Sequence, residues 1–197
     1  MKQALDQITS YLLKYDAYVL EILQPGISEA EIKTQIDKIG INLPLSVYDL
    51  YKWRNGIRDI YENNFSRQIF FDFGIFFSLE SAIDLYKSDS IENKYWSRSY
   101  FPVFTNGGGD FLLLNIDELS GEWGMIYLFS PAINLSIDPV SIYDSIEAMV
   151  DSILLCYNKG AYFFENRELL IDTNLEFEIC EQRNPRSLYW KDDESNF

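Results

Sequence analysis

Two short apolar runs, Phe-Pro-Val-Phe-Thr at 101–105 and Phe-Leu-Leu-Leu-Asn at 111–115, are separated by Asn106-Gly107-Gly108-Gly109-Asp110. Consecutive glycines between β-prone runs permit the positive backbone angles that a reversing chain needs. The spacing predicts an antiparallel strand pair joined by a glycine-rich turn. A third run at 124–129 extends the pattern. A phosphate-binding reading of the glycines does not fit. Such a loop leads from a strand into a helix and carries Lys with Ser or Thr, whereas this one leads into a strand and ends on Asp110.

Helical signals flank these runs. Leu5, Ile8, Leu12, Tyr15 and Val19 recur at spacings of three and four, predicting an amphipathic helix over 2–22 that Pro25-Gly26 breaks. Ser28 and Glu31 have capping-box spacing, with Ile27 and Ile32 placed for a hydrophobic staple. Ile32, Ile36 and Ile39 give the buried stripe, and Gly40 the stop. Leu43-Pro44 opens a third helix to about residue 54, which carries Trp53 toward the core and ends at Asn55-Gly56. The aromatic stretch 69–77 reads as a strand and 78–86 as a short helix capped by Ser78. Ser141 is placed to cap a helix whose face is Ile142, Ile146, Met149, Val150, Ile153, Leu154 and Tyr157, before Gly160. Leu175, Phe177 and Ile179 alternate with Glu176 and Glu178, as in a half-buried strand, and 191–197 is a polar, frayed end.

Helices, then strands, then a helix, without regular βαβ alternation, predict an α+β fold: an antiparallel sheet packed against several helices. With 197 residues and 47% hydrophobic composition, a sizeable core is expected in residues 1–160, with 161–197 as an extension packed on the same domain.

Chemistry is bounded by what the chain contains. It has no histidine, which excludes histidine triads and histidine metal ligation. Asp117-Glu118 is an adjacent acid pair, but it falls between strands, where solvated turn acids are ordinary. An enzyme using carboxylates is therefore the weakest reading. Cys156 and Cys180 are too few for a disulfide framework or a metal site, and are expected as free thiols in a reducing cytoplasm. No catalytic residue, metal ligand or cofactor is assigned. Residues 1–15 lack the apolar centre of a signal peptide, and 69–77 is far too short to span a membrane.

The formal charge is −15, from 31 acids against 16 bases. Nucleic acid and anionic membrane surfaces should repel such a chain. The arrangement of charge is more informative than its sum. Between Arg98 and Lys159 there is no Lys or Arg, while eight acids occur, Asp138 among them. Asp110, Asp117, Glu118, Glu122, Asp144, Glu147 and Asp151 are the candidate partner-binding residues, the last three on one helical stripe away from the apolar face. A surface of one sign favours a cationic protein partner through steering and complementarity.

Gly26-Ile27-Ser28, Glu31, Leu43-Pro44, Leu50-Tyr51 and Asn55-Gly56, in that order, resemble the amino-terminal signature of the SUKH superfamily of Smi/Knr-type domains. Phe101 to Phe104, the glycine loop, the run at 111–114, the strand at 124–129 and the helix from Ser141 resemble its central hairpin, later strand and closing helix; the likeness covers roughly 25–158. It implies an α+β domain of bacterial toxin–immunity loci, whose members neutralise a toxin by binding it and carry no catalytic residues. The expected partner is a basic toxin domain, which a nuclease would supply. The alternative is a regulatory scaffold without a toxin, as in fungal relatives.

Overall fold

The computed structural model describes residues 1–58, 65–131 and 138–191. Helix α1 (Lys2–Lys14) buries Ala4, Leu5, Ile8 and Leu12 on its stripe. The helix expected to reach residue 22 stops early. Asp16 adopts a left-handed conformation, with φ of 49°, and a second short helix, α2 (Val19–Ile22), starts beyond it. Strand β1 (Leu23–Pro25) then leads into α3 (Glu29–Asp37). Its capping box is complete: the Ser28 hydroxyl accepts the Glu31 N–H at 3.2 Å, and the Glu31 carboxylate accepts the Ser28 N–H at 2.8 Å. Helix α4 (Leu45–Trp53) begins one residue after Pro44. Trp53 is only half-buried, and its indole N–H donates to Thr9 at 2.8 Å.

The Asn55-Gly56 pair does more than end a helix. It lies in β2 (Arg54–Ile57), antiparallel to β1. Gly56 has a φ of +65°, and a Cβ there would sit 2.3 Å from the Phe77 backbone, so only glycine fits. The buried Asn55 side chain accepts the Leu79 N–H at 2.9 Å. One residue thus ties the helical layer to the start of α5 (Leu79–Leu85), which Ser78 caps.

The main sheet has five strands in the order β3-β4-β5-β6-β7, each pair antiparallel. They are β3 (Ile75–Phe76), β4 (Tyr100–Thr105), β5 (Phe111–Asn115), β6 (Ile126–Phe129) and β7 (Val140–Tyr143). The glycine loop joins β4 to β5 with Thr105 opposite Phe111, and Gly107 and Gly109 take the positive φ values. The fold is α+β, as expected.

Three local expectations are corrected. Of the stretch 69–77, only Ile75 and Phe76 pair as a strand, because Phe70 and Phe71 instead fill the core against Phe104. Ser141 does not cap a helix: it lies in β7, and Ser145 caps α6 (Ile146–Lys159) by accepting the Ala148 N–H at 3.1 Å. Both serines precede apolar residues, and pairing of Ser141 opposite Tyr127 decides between them. The stretch 175–179 is helix α7 (Thr173–Arg183), which buries Glu176, Ile179 and Cys180. That spacing is helical, and it is hidden in the sequence because a glutamate occupies an inward position.

Between α6 and α7 lies a hairpin, β8 (Tyr162–Glu165) with β9 (Glu168–Ile171), turning at Asn166 and Arg167, both at positive φ. The Arg167 guanidinium lies 4.1 Å and that of Arg67 4.3 Å from the Tyr18 ring centre, fastening the hairpin to the α1–α2 corner. Leu169, Ile179, Cys180 and Trp190 join the same apolar cluster as Leu5, Val47, Phe104 and Met149. Cys156 and Cys180 are free and buried. Of the frayed end expected at 191–197, residues 192–197 lie outside the described residues. No helix among the described residues is long and apolar enough to cross a membrane.

Candidate partner-binding surface

The β5–β6 connection, residues 116–125, is ordered by its own polar side chains. Asn115 Oδ1 accepts the Asp117 N–H at 2.9 Å, and Asp117 Oδ1 accepts the Leu119 N–H at 3.0 Å. Ser120 Oγ accepts the Glu122 N–H at 3.1 Å. The Gly124 N–H then returns to the Asn115 carbonyl at 2.8 Å, closing the loop. Glu122 accepts the Tyr127 hydroxyl at 2.6 Å. Burial, and then this carboxylate acceptor, push the Tyr127 phenol well above its ordinary value.

The register brings the loop and the β7–α6 corner together. Ile126 pairs with Tyr143, so Asp144 follows β7 at the end of the sheet where the loop rejoins β6. Asp144 accepts the Arg186 backbone N–H at 3.2 Å, and the Arg186 guanidinium reaches the Gly121 carbonyl at 3.0 Å. Glu147 and Asp151 are exposed on the first turns of α6, away from buried Ile146, Met149, Val150 and Ile153. Asp117, Glu118, Glu122 and Asp144 therefore lie at one end of the sheet, and Glu147 and Asp151 follow on the first turns of α6; the single helical stripe expected of Asp144, Glu147 and Asp151 is not formed, because Asp144 precedes the Ser145 cap.

Asp110 is placed differently. It lies at the opposite end of β5, is 8% exposed, and its carboxylate accepts the Asn106 side-chain N–H at 2.6 Å. There it closes the glycine loop.

The stretch without bases is not without neighbouring bases in space. Arg186 arrives from beyond α7, and Arg98 shares an open cleft of about 400 Å³ with Asp117 and Glu118, walled by Asn42 and Tyr86. Even so, among the described residues none of the six grouped acids is in an ion pair. Those pairs lie elsewhere, on α3, α4 and the Tyr18 corner. Two apolar side chains of the loop also stand in solvent without having been expected there, Leu119, 99% exposed, and Trp123, 42% exposed. The only cue for them was an apolar residue within a polar turn.

The chemistry available here is electrostatic. Among the described residues no three acidic or cysteine side chains converge as a metal site. The carboxyls raised by burial, Asp72 and Glu176, are internal: Glu176, 2% exposed, accepts the Tyr162 hydroxyl, and burial with nearby Asp72 pushes it up to about 8.

No curated protein matches the chain. A family model described as the SMI1 / KNR4 family (SUKH-1) matches residues 26–152, from the residue after β1 to the middle of α6. That span holds the capping box, the five-stranded sheet and all six grouped carboxylates, while α1 and the elements after Gly160 fall outside it. Because it covers well over half of the 197 residues, the chain belongs to the SMI1 / KNR4 family (SUKH-1).

Proposed function

We propose that this protein is an immunity-type protein of the cytoplasm, which binds a cognate toxin domain of basic surface and blocks it by occlusion, without catalysis of its own. The observation that carries the reading is the set of six carboxylates at one end of the sheet and on the adjoining first turns of α6, none of them in an ion pair among the described residues. Acids without an ion-pair partner repel each other in the free protein, and a cationic partner relieves that repulsion. A nuclease would meet that description, since its own site must attract phosphate. The family membership supports the same reading, because SUKH domains are associated with binding toxins.

The test is capture of partners from the native cell, then expression of each captured partner in a neutral host with and without this chain. Survival restored only by co-expression is the expected result. A captured partner that is harmless in that host would replace this function with a regulatory scaffold.

A further inference from the structure

Three large apolar side chains remain exposed at the acidic end of the sheet, and they come from two segments that touch. Leu119 and Trp123 belong to the β5–β6 loop; Leu45, at the start of α4, is 79% exposed. The segments meet where Pro44 packs on Gly124: a Cβ on that glycine would lie 3.4 Å from Pro44 Cγ. Leu119 contributes nothing to the core of this protein, yet its backbone is fixed by Asp117. An exposed apolar patch bordered by polar residues is the usual arrangement of an interaction site. Apolar centre and charged rim are also how interfaces are built.

We infer that Leu119, Trp123 and Leu45 form the apolar centre of the interface and enter an apolar recess on a protein partner whose surrounding surface is basic, with Asp117, Glu118 and Glu122 as the rim. The inference rests on the protein-binding function proposed above and adds which residues hold the complex together. Charge selects the occupant. A second copy of this chain, at a net charge of −15, would bring acids against acids. An anionic lipid surface meets the same repulsion. A basic protein does not. The division of labour follows: rim acids govern how fast the partner arrives, and the buried anchors govern how long it stays.

The experiment places a photo-crosslinking benzophenone amino acid at position 119 in the full chain, with controls at Phe163 and Leu13, exposed apolar residues of β8 and α1. After irradiation in the native cell, the attached protein is identified and the attachment point mapped. The identified partner, purified, is then the probe for kinetics with Leu119→Ala, Leu119→Met and Glu118→Lys. The expected result is attachment from position 119 to an apolar recess flanked by Lys or Arg. Leu119→Ala should then dissociate about tenfold faster with association changed less than about threefold, and Leu119→Met should restore slow dissociation. Glu118→Lys should slow association instead. Attachment only from positions 163 or 13, or unchanged dissociation of Leu119→Ala, overturns the inference and leaves the proposed function in place. Absence of attachment from all three positions, with no partner captured by the unmodified chain, overturns the proposed function and the inference with it.

Discussion

The Arg186 guanidinium donates a 3.0 Å hydrogen bond to the carbonyl oxygen of Gly121, joining the segment after α7 to the β5–β6 loop. The Arg186 backbone N–H is in turn held by Asp144 at 3.2 Å. A residue outside the family-matched span therefore fixes the loop that carries Leu119. Arg186→Ala should leave the core intact and cost on the order of 1 kcal/mol at the loop. Hydrogen exchange of the peptide covering 116–125 reads this directly, as faster exchange there with α1 and α6 unaffected. Unchanged exchange would mean that Asn115, Asp117 and Ser120 hold the loop unaided.

Reversing the charge of the β7–α6 corner and the first turns of α6 with Asp144→Lys, Glu147→Lys and Asp151→Lys should greatly slow association with a basic partner. Wild-type association should also slow with added salt, as the Debye length falls below about 8 Å. Glu147 and Asp151 are exposed, so their changes should each cost about 0.5 kcal/mol or less. Asp144 adds the loss of its bond to Arg186, which thermal melting of the single variant measures separately. A flat salt response together with unchanged affinity would move the interface away from these three residues.

Glu176 makes stability depend on pH. Its folded pKa, about 8, lies above the ordinary 4.5, so between these values the folded state binds more protons than the unfolded one. Stability is therefore fullest below about pH 4.5 as far as this group is concerned, and falls as pH rises toward 8. At about 1.4 kcal/mol per unit, the loss by pH 7 is on the order of 3 kcal/mol. Glu176→Gln keeps an acceptor for Tyr162 and removes the titration. Urea midpoints at pH 5, 7 and 9 should decline for the wild type and much less for the variant. Asp72, also raised by burial, keeps a residual slope of the same sign.

Ser28→Ala should cost about 1 kcal/mol, the usual value of an N-cap. It should also release Glu31, whose carboxyl is held below its ordinary value by the Ser28 hydroxyl and amide. NMR titration of Glu31 in both proteins checks the second point independently of stability.

Much of this architecture was legible in the sequence because local chemistry decided it. The Ser28–Glu31 box, the glycine turn before Phe111 and the Gly160 stop each satisfy backbone groups within a few residues, and each appears where expected. The misread elements are those settled by distant partners. Ser141 is a strand residue because Tyr127 lies opposite it, and Glu176 faces inward because Tyr162 receives it there. The surface shows the same division. The acids could be counted along the chain, but that Asp110 faces a turn at the far end of β5, and that Arg186 crosses to Gly121, depends on the fold. Leu119 is hidden in the sequence because its one cue, an apolar residue within a polar turn, does not by itself separate a side chain that is buried from one left in water.

Ser141 also has a bearing on how the sheet meets its surroundings. The Leu188 and Tyr189 N–H groups both reach its carbonyl at 3.0 Å, and the Ser187 hydroxyl does the same at 3.0 Å. Strand β7 is the last in its sheet, and an uncovered last strand is a template on which another chain can add itself. Here residues 187–189 occupy that template. The Ser141 carbonyl on this edge is taken by the protein's own chain and the Asp144 N–H by the Asn184 side chain at 3.2 Å, so a visitor arriving beside Asp144 meets side chains before free backbone.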